Sequence, residues 1–146
     1  MKKRFWILLA VIAALCLLTA CNFSTNLSNA GSSQMQATPK AKEMMSALAA
    51  NDSAAAVKMM HPDVMEKADE AIAQMSGYVA GRKTTQLQLV NFNVSTSAGT
   101  SGKIRQEKVV YQATLEDGEM IYLSATYVSG NAGEGFASFQ IVLGAV

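Results

Sequence analysis

Val109-Val110-Tyr111-Gln112-Ala113-Thr114-Leu115-Glu116-Asp117-Gly118-Glu119-Met120-Ile121-Tyr122-Leu123-Ser124-Ala125-Thr126-Tyr127 reads as two β-strands about a glycine turn, and the length of that turn decides which side chains form the core. A two-residue Asp-Gly loop sets Glu116 opposite Glu119 and mixes apolar with polar positions across the pair. A three-residue loop, with Gly118 left-handed after a type I turn, instead puts Val109, Tyr111, Ala113 and Leu115 on one face with Ile121, Leu123, Ala125 and Tyr127. The second register is the expectation, because a slip of one residue turns a whole apolar set away from the core.

Working outward, β-branched and aromatic residues broken by glycine-rich turns predict strands near 85–97, 105–115, 119–128 and 136–143, a four-stranded antiparallel meander. Strict alternation across the loop Gly130–Gly135 adds Ala137, Phe139, Ile141 and Leu143 to the core face. The other face is half polar, with Gln112, Thr114, Ser124, Thr126, Ser138 and Gln140 beside Val110, Met120, Tyr122, Val128, Phe136 and Val142. Helices can cover only one face, so this second face meets solvent or another subunit. A homodimer through Val110, Met120, Tyr122, Phe136 and Val142 is the corresponding expectation.

Upstream, Thr38-Pro39 opens a helix with Met44, Met45 and Leu48 at helical spacing, and Asn51-Asp52 interrupts and recaps it. A second short helix runs through Val57, Met59 and Met60 to His61. Pro62-Asp63 starts a third, whose Val64, Met65, Ala68, Ile72, Met75 and Val79 share one face and which Gly77 or Gly81 terminates. The fold class expected is therefore α+β: three N-terminal helices packed on one face of a curved four-stranded antiparallel sheet, over residues 39–146.

The amino terminus has a basic start (Lys2, Lys3, Arg4), an apolar stretch from Phe5 to Leu18, and small residues before Cys21. Leu18-Thr19-Ala20-Cys21 resembles the bacterial lipobox. That resemblance implies a signal peptide over 1–20 and a diacylglyceryl group on the Cys21 sulfur. It implies a chain held by palmitate-type acyl groups at an extracytoplasmic membrane face, each buried methylene adding about 0.8 kcal/mol. Depending on the host envelope, this is the cell surface or the outer membrane. Residues 21–38 then form a lipidated, uncharged Ser- and Asn-rich tether, which as a flexible coil reaches about 20 to 25 Å.

Cys16 lies inside the removed segment, so the remaining domain has no disulfide and must rely on its core. Of the twelve basic residues, three leave with the signal, and nine stand against eleven acidic ones, a charge of −2. A weakly acidic domain without a basic stripe is unsuited to nucleic acid. One histidine and no free thiol do not make a metal site, and no cofactor motif is present. Gly130, Gly133 and Gly135 lie between two strands, which makes a hairpin loop and no phosphate-binding turn.

The order of three helices followed by an antiparallel sheet, with the opening Ala41-Lys42-Glu43-Met44-Met45-Ser46-Ala47-Leu48-Ala49-Ala50-Asn51-Asp52 and a second helix reaching His61-Pro62, resembles small bacterial lipoproteins with a nuclear-transport-factor-2-like (cystatin-like) cone of unknown function. Asn51 stands where glycine is common in that opening. The resemblance implies a pocket between helices and sheet, frequent dimerisation, and functions from enzymes to passive binding, so it does not choose a function.

Catalytic cones place Asp, His or Tyr inside. Glu107 and Glu119 share the apolar phase but sit at strand ends and, like Glu116, Asp117 and Glu134, are expected to be solvated; His61 is expected to cap a helix or lie at the surface. No catalytic residue is assigned. Tyr111, Tyr127, Phe139, Met65 and Met75 are the candidate lining of a small apolar ligand site. The reading is a membrane-anchored, non-enzymatic binding or assembly domain whose partner is another envelope protein, a second copy or a small apolar ligand. The alternative is a cone-type isomerase or dehydratase using His61, Tyr111 or Tyr127.

Overall fold

Eight elements build the domain in a computed structural model that describes residues 35–100, 102–131 and 133–143. They are helices α1 (Ala37–Ala49), α2 (Ser53–Lys58), α3 (Pro62–Met65) and α4 (Asp69–Val79), then strands β1 (Thr84–Gly99), β2 (Gly102–Leu115), β3 (Met120–Gly130) and β4 (Gly135–Val142). The sheet is antiparallel in the order β1-β2-β3-β4. The expected signal peptide over 1–20, Cys21 and the expected tether up to residue 34 lie outside the described residues.

The β2–β3 turn has the predicted three-residue form. Leu115 and Glu119 close it through the Glu119 carbonyl at 2.9 Å, and Gly118 takes a φ of 90°. Ala113 then faces Ile121, Tyr111 faces Leu123 and Val109 faces Ala125, all of them buried. Side-chain alternation turns the same eight apolar groups inward on both strands, and the left-handed residue the turn needs is glycine, which adopts it without Cβ strain.

Strand β4 departs from simple alternation. Thr126 faces Ser138 but Tyr127 faces Phe136, so Ala137 is an extra residue with no partner, a β-bulge. The bulge turns Phe136 inward, where it is fully buried, and corrects its assignment to the outer face. Ala137 is only half-buried, Ile141 is half-buried opposite Leu123, and Leu143 is exposed beyond the strand end. Burying a phenyl ring in place of a methyl group removes far more apolar surface from water, which favours the bulged register.

Backbone bonding on the outer side of β4 supports the same arrangement. Phe136 donates to the Met59 carbonyl at 2.9 Å and accepts from His61 N–H at 2.9 Å. Gly135 permits this approach, since a Cβ there would stand 2.6 Å from His61 N.

Four helices stand where three were expected. Pro62–Met65 forms its own turn, and Lys67 and Ala68 bond to the carbonyls of Val64 and Met65, three residues back, which tightens the chain before α4 starts. Ala68, Ile72, Met75 and Val79 keep the predicted buried face, while Val64 and Met65 are only half-buried. Gly77 lies inside α4, which ends at Ala80 and Gly81, both left-handed. Asn51 is left-handed too, with a φ of 54° just past α1, a conformation asparagine tolerates next best after glycine. Asp52 then caps α2 by accepting from Ala55 N–H at 3.1 Å.

Candidate functional site

Helix α1 begins at Ala37, two residues ahead of the predicted Pro39 start, and the cause lies in β2. The first N–H groups of a helix have no partner within it. Here the Glu107 carboxylate accepts from Gln36 N–H at 3.2 Å and Ala37 N–H at 2.9 Å, with Arg105 Nε at 2.8 Å on the same carboxylate. Glu107 is 1 % exposed, which corrects its expected solvation. A buried carboxylate is tolerable because three donors and the positive end of a helix surround it. Sequence signals existed: Glu107 keeps the apolar phase of β2, and Arg105 shares its face two residues away.

Two tyrosines flank this carboxylate along the core face. Glu107 lies opposite Tyr127 in the register, and Tyr111 meets Thr38 Oγ1 at 2.9 Å through its hydroxyl. Burial pushes the Tyr111 hydroxyl up to about 12, with the Thr38 bond lowering it and the Glu107 charge raising it. Tyr127 donates to Glu134 and is raised as well, by burial first and then by that bond. The unfolded Tyr111 ionises near 10 and the folded one near 12, so below pH 10 its contribution to stability is complete, and it is lost as pH rises from 10 to 12. Ultraviolet titration of tyrosinate should show Tyr111 ionising only with alkaline unfolding. Ionisation near pH 10 in the folded protein would place its hydroxyl in water.

Phe136 stacks edge-on against Tyr127 and against Phe139, with centroids 5.1 Å apart in both pairs. Of the proposed ligand lining, Tyr111, Tyr127, Phe139 and Met75 are all buried in the core, while Met65 is half-buried at the end of α3 and outside that group. The fold therefore buries four of the five, with Phe136 joining Tyr127 and Phe139 in one packed layer. Met44, Met45, Leu48 and Ile72, each at most 1 % exposed, complete the helical side of that layer.

His61 caps α3: its Nδ1 accepts from Asp63 N–H at 3.3 Å, with the Asp63 carboxylate 3.5 Å away. The residue is buried, which corrects the surface alternative. With Nδ1 accepting, the neutral ring carries its proton on Nε2, and that atom is buried with no hydrogen-bond partner among the described residues. Gly133 closes over it, since a Cβ there would stand 3.3 Å from Nε2. The Glu107 carboxylate and the His61 Nδ1 thus both serve helix starts, while His61 Nε2 has no hydrogen-bond partner among the described residues.

At the other end of the sheet, Arg82 clamps α4 to the β2–β3 turn. It bonds Asp117 at 2.8 Å, pairs with Glu119, and reaches the carbonyls of Val79 and Tyr78. These acids are exposed and held below the usual carboxylate range, Asp117 chiefly by Arg82 and Glu119 first by the Tyr78 hydroxyl.

The outer sheet face has a different character. Gln, Asn, Ser and Thr alternate there with Val110, Tyr122, Val142 and the exposed Met120, and the register places Lys108 as the only charged side chain of that face among the described residues. A depression of about 190 Å³ lies across it, bordered by Asn91, Asn93, Lys108, Val110, Ser124 and Thr126. Among the described residues no helix is long and apolar enough to cross a membrane.

No family model matches the chain, and no curated protein and no solved structure matches it either.

Proposed function

We propose that this protein is a lipid-anchored, extracytoplasmic binding and assembly domain of a bacterial envelope, without catalytic activity, that pairs with a second copy through its outer sheet face. The observation that carries the reading is the near absence of charge on that face. A surface suited to solvent is one with about 25–35 % charged residues, whereas here, among the described residues, Lys108 is the one charge among Gln, Asn, Ser, Thr, Val and Tyr side chains. A twofold pairing of this face brings no like charges together except the two Lys108 groups, which lie between Asn93 and Thr126 and are exposed. Val110, Tyr122 and Val142 supply the apolar centre, and Phe136 is no longer part of it.

The interior supports binding over catalysis. Tyr111, Tyr127, Phe136 and Phe139 fill the layer that a substrate would occupy, and the buried acid and the histidine cap helices. Their hydrogen bonds leave Glu107 and His61 holding backbone donors, which is a structural duty.

The anchor rests on Leu18-Thr19-Ala20-Cys21. Replacing Cys21 with serine should abolish incorporation of radiolabelled palmitate and leave the uncleaved precursor. Label entering the variant at the parent level would overturn the lipobox reading.

A further inference from the structure

We propose a second binding surface, separate from the outer sheet face: the channel between α1 and the start of β1 takes a short, extended, acidic peptide segment that lies alongside β1. The two edges of the sheet differ in a way that calls for it. The β4 edge is covered by the Met59–His61 segment through two backbone hydrogen bonds, whereas among the described residues no strand lies on the far side of β1. An open edge next to a helix is the geometry in which a peptide adds as a further strand, its main chain bonding the edge and its side chains entering the channel.

Two adjoining cavities of about 440 and 280 Å³ form this channel, joined through Ser46 and Thr84, which line both. The larger falls in the volume range of ordinary ligand sites. Met45 and Leu87 give it an apolar floor. Thr84 Oγ1 is buried there without a hydrogen-bond partner among the described residues, and such a group is costly unless something completes it. Ser46 donates its hydroxyl proton to the Lys42 carbonyl at 3.0 Å, which leaves its oxygen free to accept a peptide N–H.

Charge selects the occupant. Lys42 lines one cavity and Lys83 the other; both are exposed, and among the described residues neither makes an ion pair and no acidic side chain lines either cavity, although the Glu116 carboxylate accepts from Lys83 N–H at 3.0 Å. Two cations flanking an open strand edge favour carboxylates on the incoming segment, through attraction that salt weakens.

The test is to pan phage-displayed random heptapeptides against the full chain in detergent, then resynthesise the recovered sequences and measure affinity by fluorescence anisotropy. The recovered peptides should carry Asp or Glu next to alternating β-branched residues. Lys42→Glu with Lys83→Glu should weaken binding at least tenfold, and affinity for the parent should fall with added salt. Thr84→Val should weaken binding about threefold while its thermal midpoint stays level or rises, an outcome that a merely structural hydroxyl does not give. Val110→Lys with Tyr122→Lys, on the outer sheet face, should leave peptide affinity unchanged. Recovery of no peptide, of acid-poor peptides, or of peptides indifferent to the lysine reversal overturns the proposal, as does loss of binding in the outer-face variant.

Discussion

Phe136→Ala should cost about 3–5 kcal/mol of unfolding free energy, the usual loss when a fully buried aromatic ring is truncated. Phe136 is wedged edge-on between Tyr127 and Phe139, its backbone pairs with Met59 and His61, and it has no exposed surface. Domains of this size have about 5–15 kcal/mol of stability in total, so the variant should be close to unfolding at growth temperature. Strict alternation along β4 makes the opposite prediction, because there Phe136 faces outward and a surface truncation changes stability by about 0.5 kcal/mol or less. Urea denaturation separates the two: a loss under 1 kcal/mol would remove the bulge at Ala137 from the account.

Glu107→Ala is the second large effect, with an expected loss of about 3 kcal/mol. It strips the acceptor from Gln36 and Ala37 N–H, removes the carboxylate that Arg105 Nε bonds, and opens space under the start of α1. Glu107→Gln keeps an acceptor oxygen and the shape but loses the charge that faces the helix N-terminus, so its cost should be smaller, about 1–2 kcal/mol. Hydrogen exchange should show where the damage lies, with protection falling first at residues 37–41. Equal stability of parent and alanine variant would mean that the carboxylate is solvated.

The contrast between these residues shows what the sequence could reveal. The β2–β3 register was readable because Gly118 and two strictly alternating strands agree on one solution, and a glycine at the left-handed turn position allows no other economical closure. The β4 register was not, because one bulged residue reverses the parity of everything before it, and what selects the bulge is the fit of Phe136 between Phe139 on its own strand and Tyr127 on the neighbouring one. Gly135 was the local trace of it, at a strand start pressed against Met60–His61.

The helices divide the same way. Ala68, Ile72, Met75 and Val79 gave the buried face correctly, but the break after Met65 comes from bonds to carbonyls three residues back, which periodicity does not register. In the interior, the apolar phase marked Tyr111, Tyr127 and Phe139 as neighbours. It also marked Glu107, but a strand-end acid reads as solvated until α1 brings its N-terminus over it. Thr84 and the lysines of the α1–β1 channel left no sequence signal at all, because the channel exists only once helix and strand are side by side.

The central claim is that the outer sheet face, with Lys108 as its one charge among the described residues, joins two copies of a lipid-anchored domain, and sedimentation velocity of the full chain in density-matched detergent tests it most directly. The parent should sediment as a dimer at micromolar concentration. Val110→Lys with Tyr122→Lys, which adds four cations to the two Lys108 groups across the twofold, should sediment as a monomer with an unchanged circular dichroism spectrum. A parent that stays monomeric, or a double variant that remains dimeric, would contradict the claim.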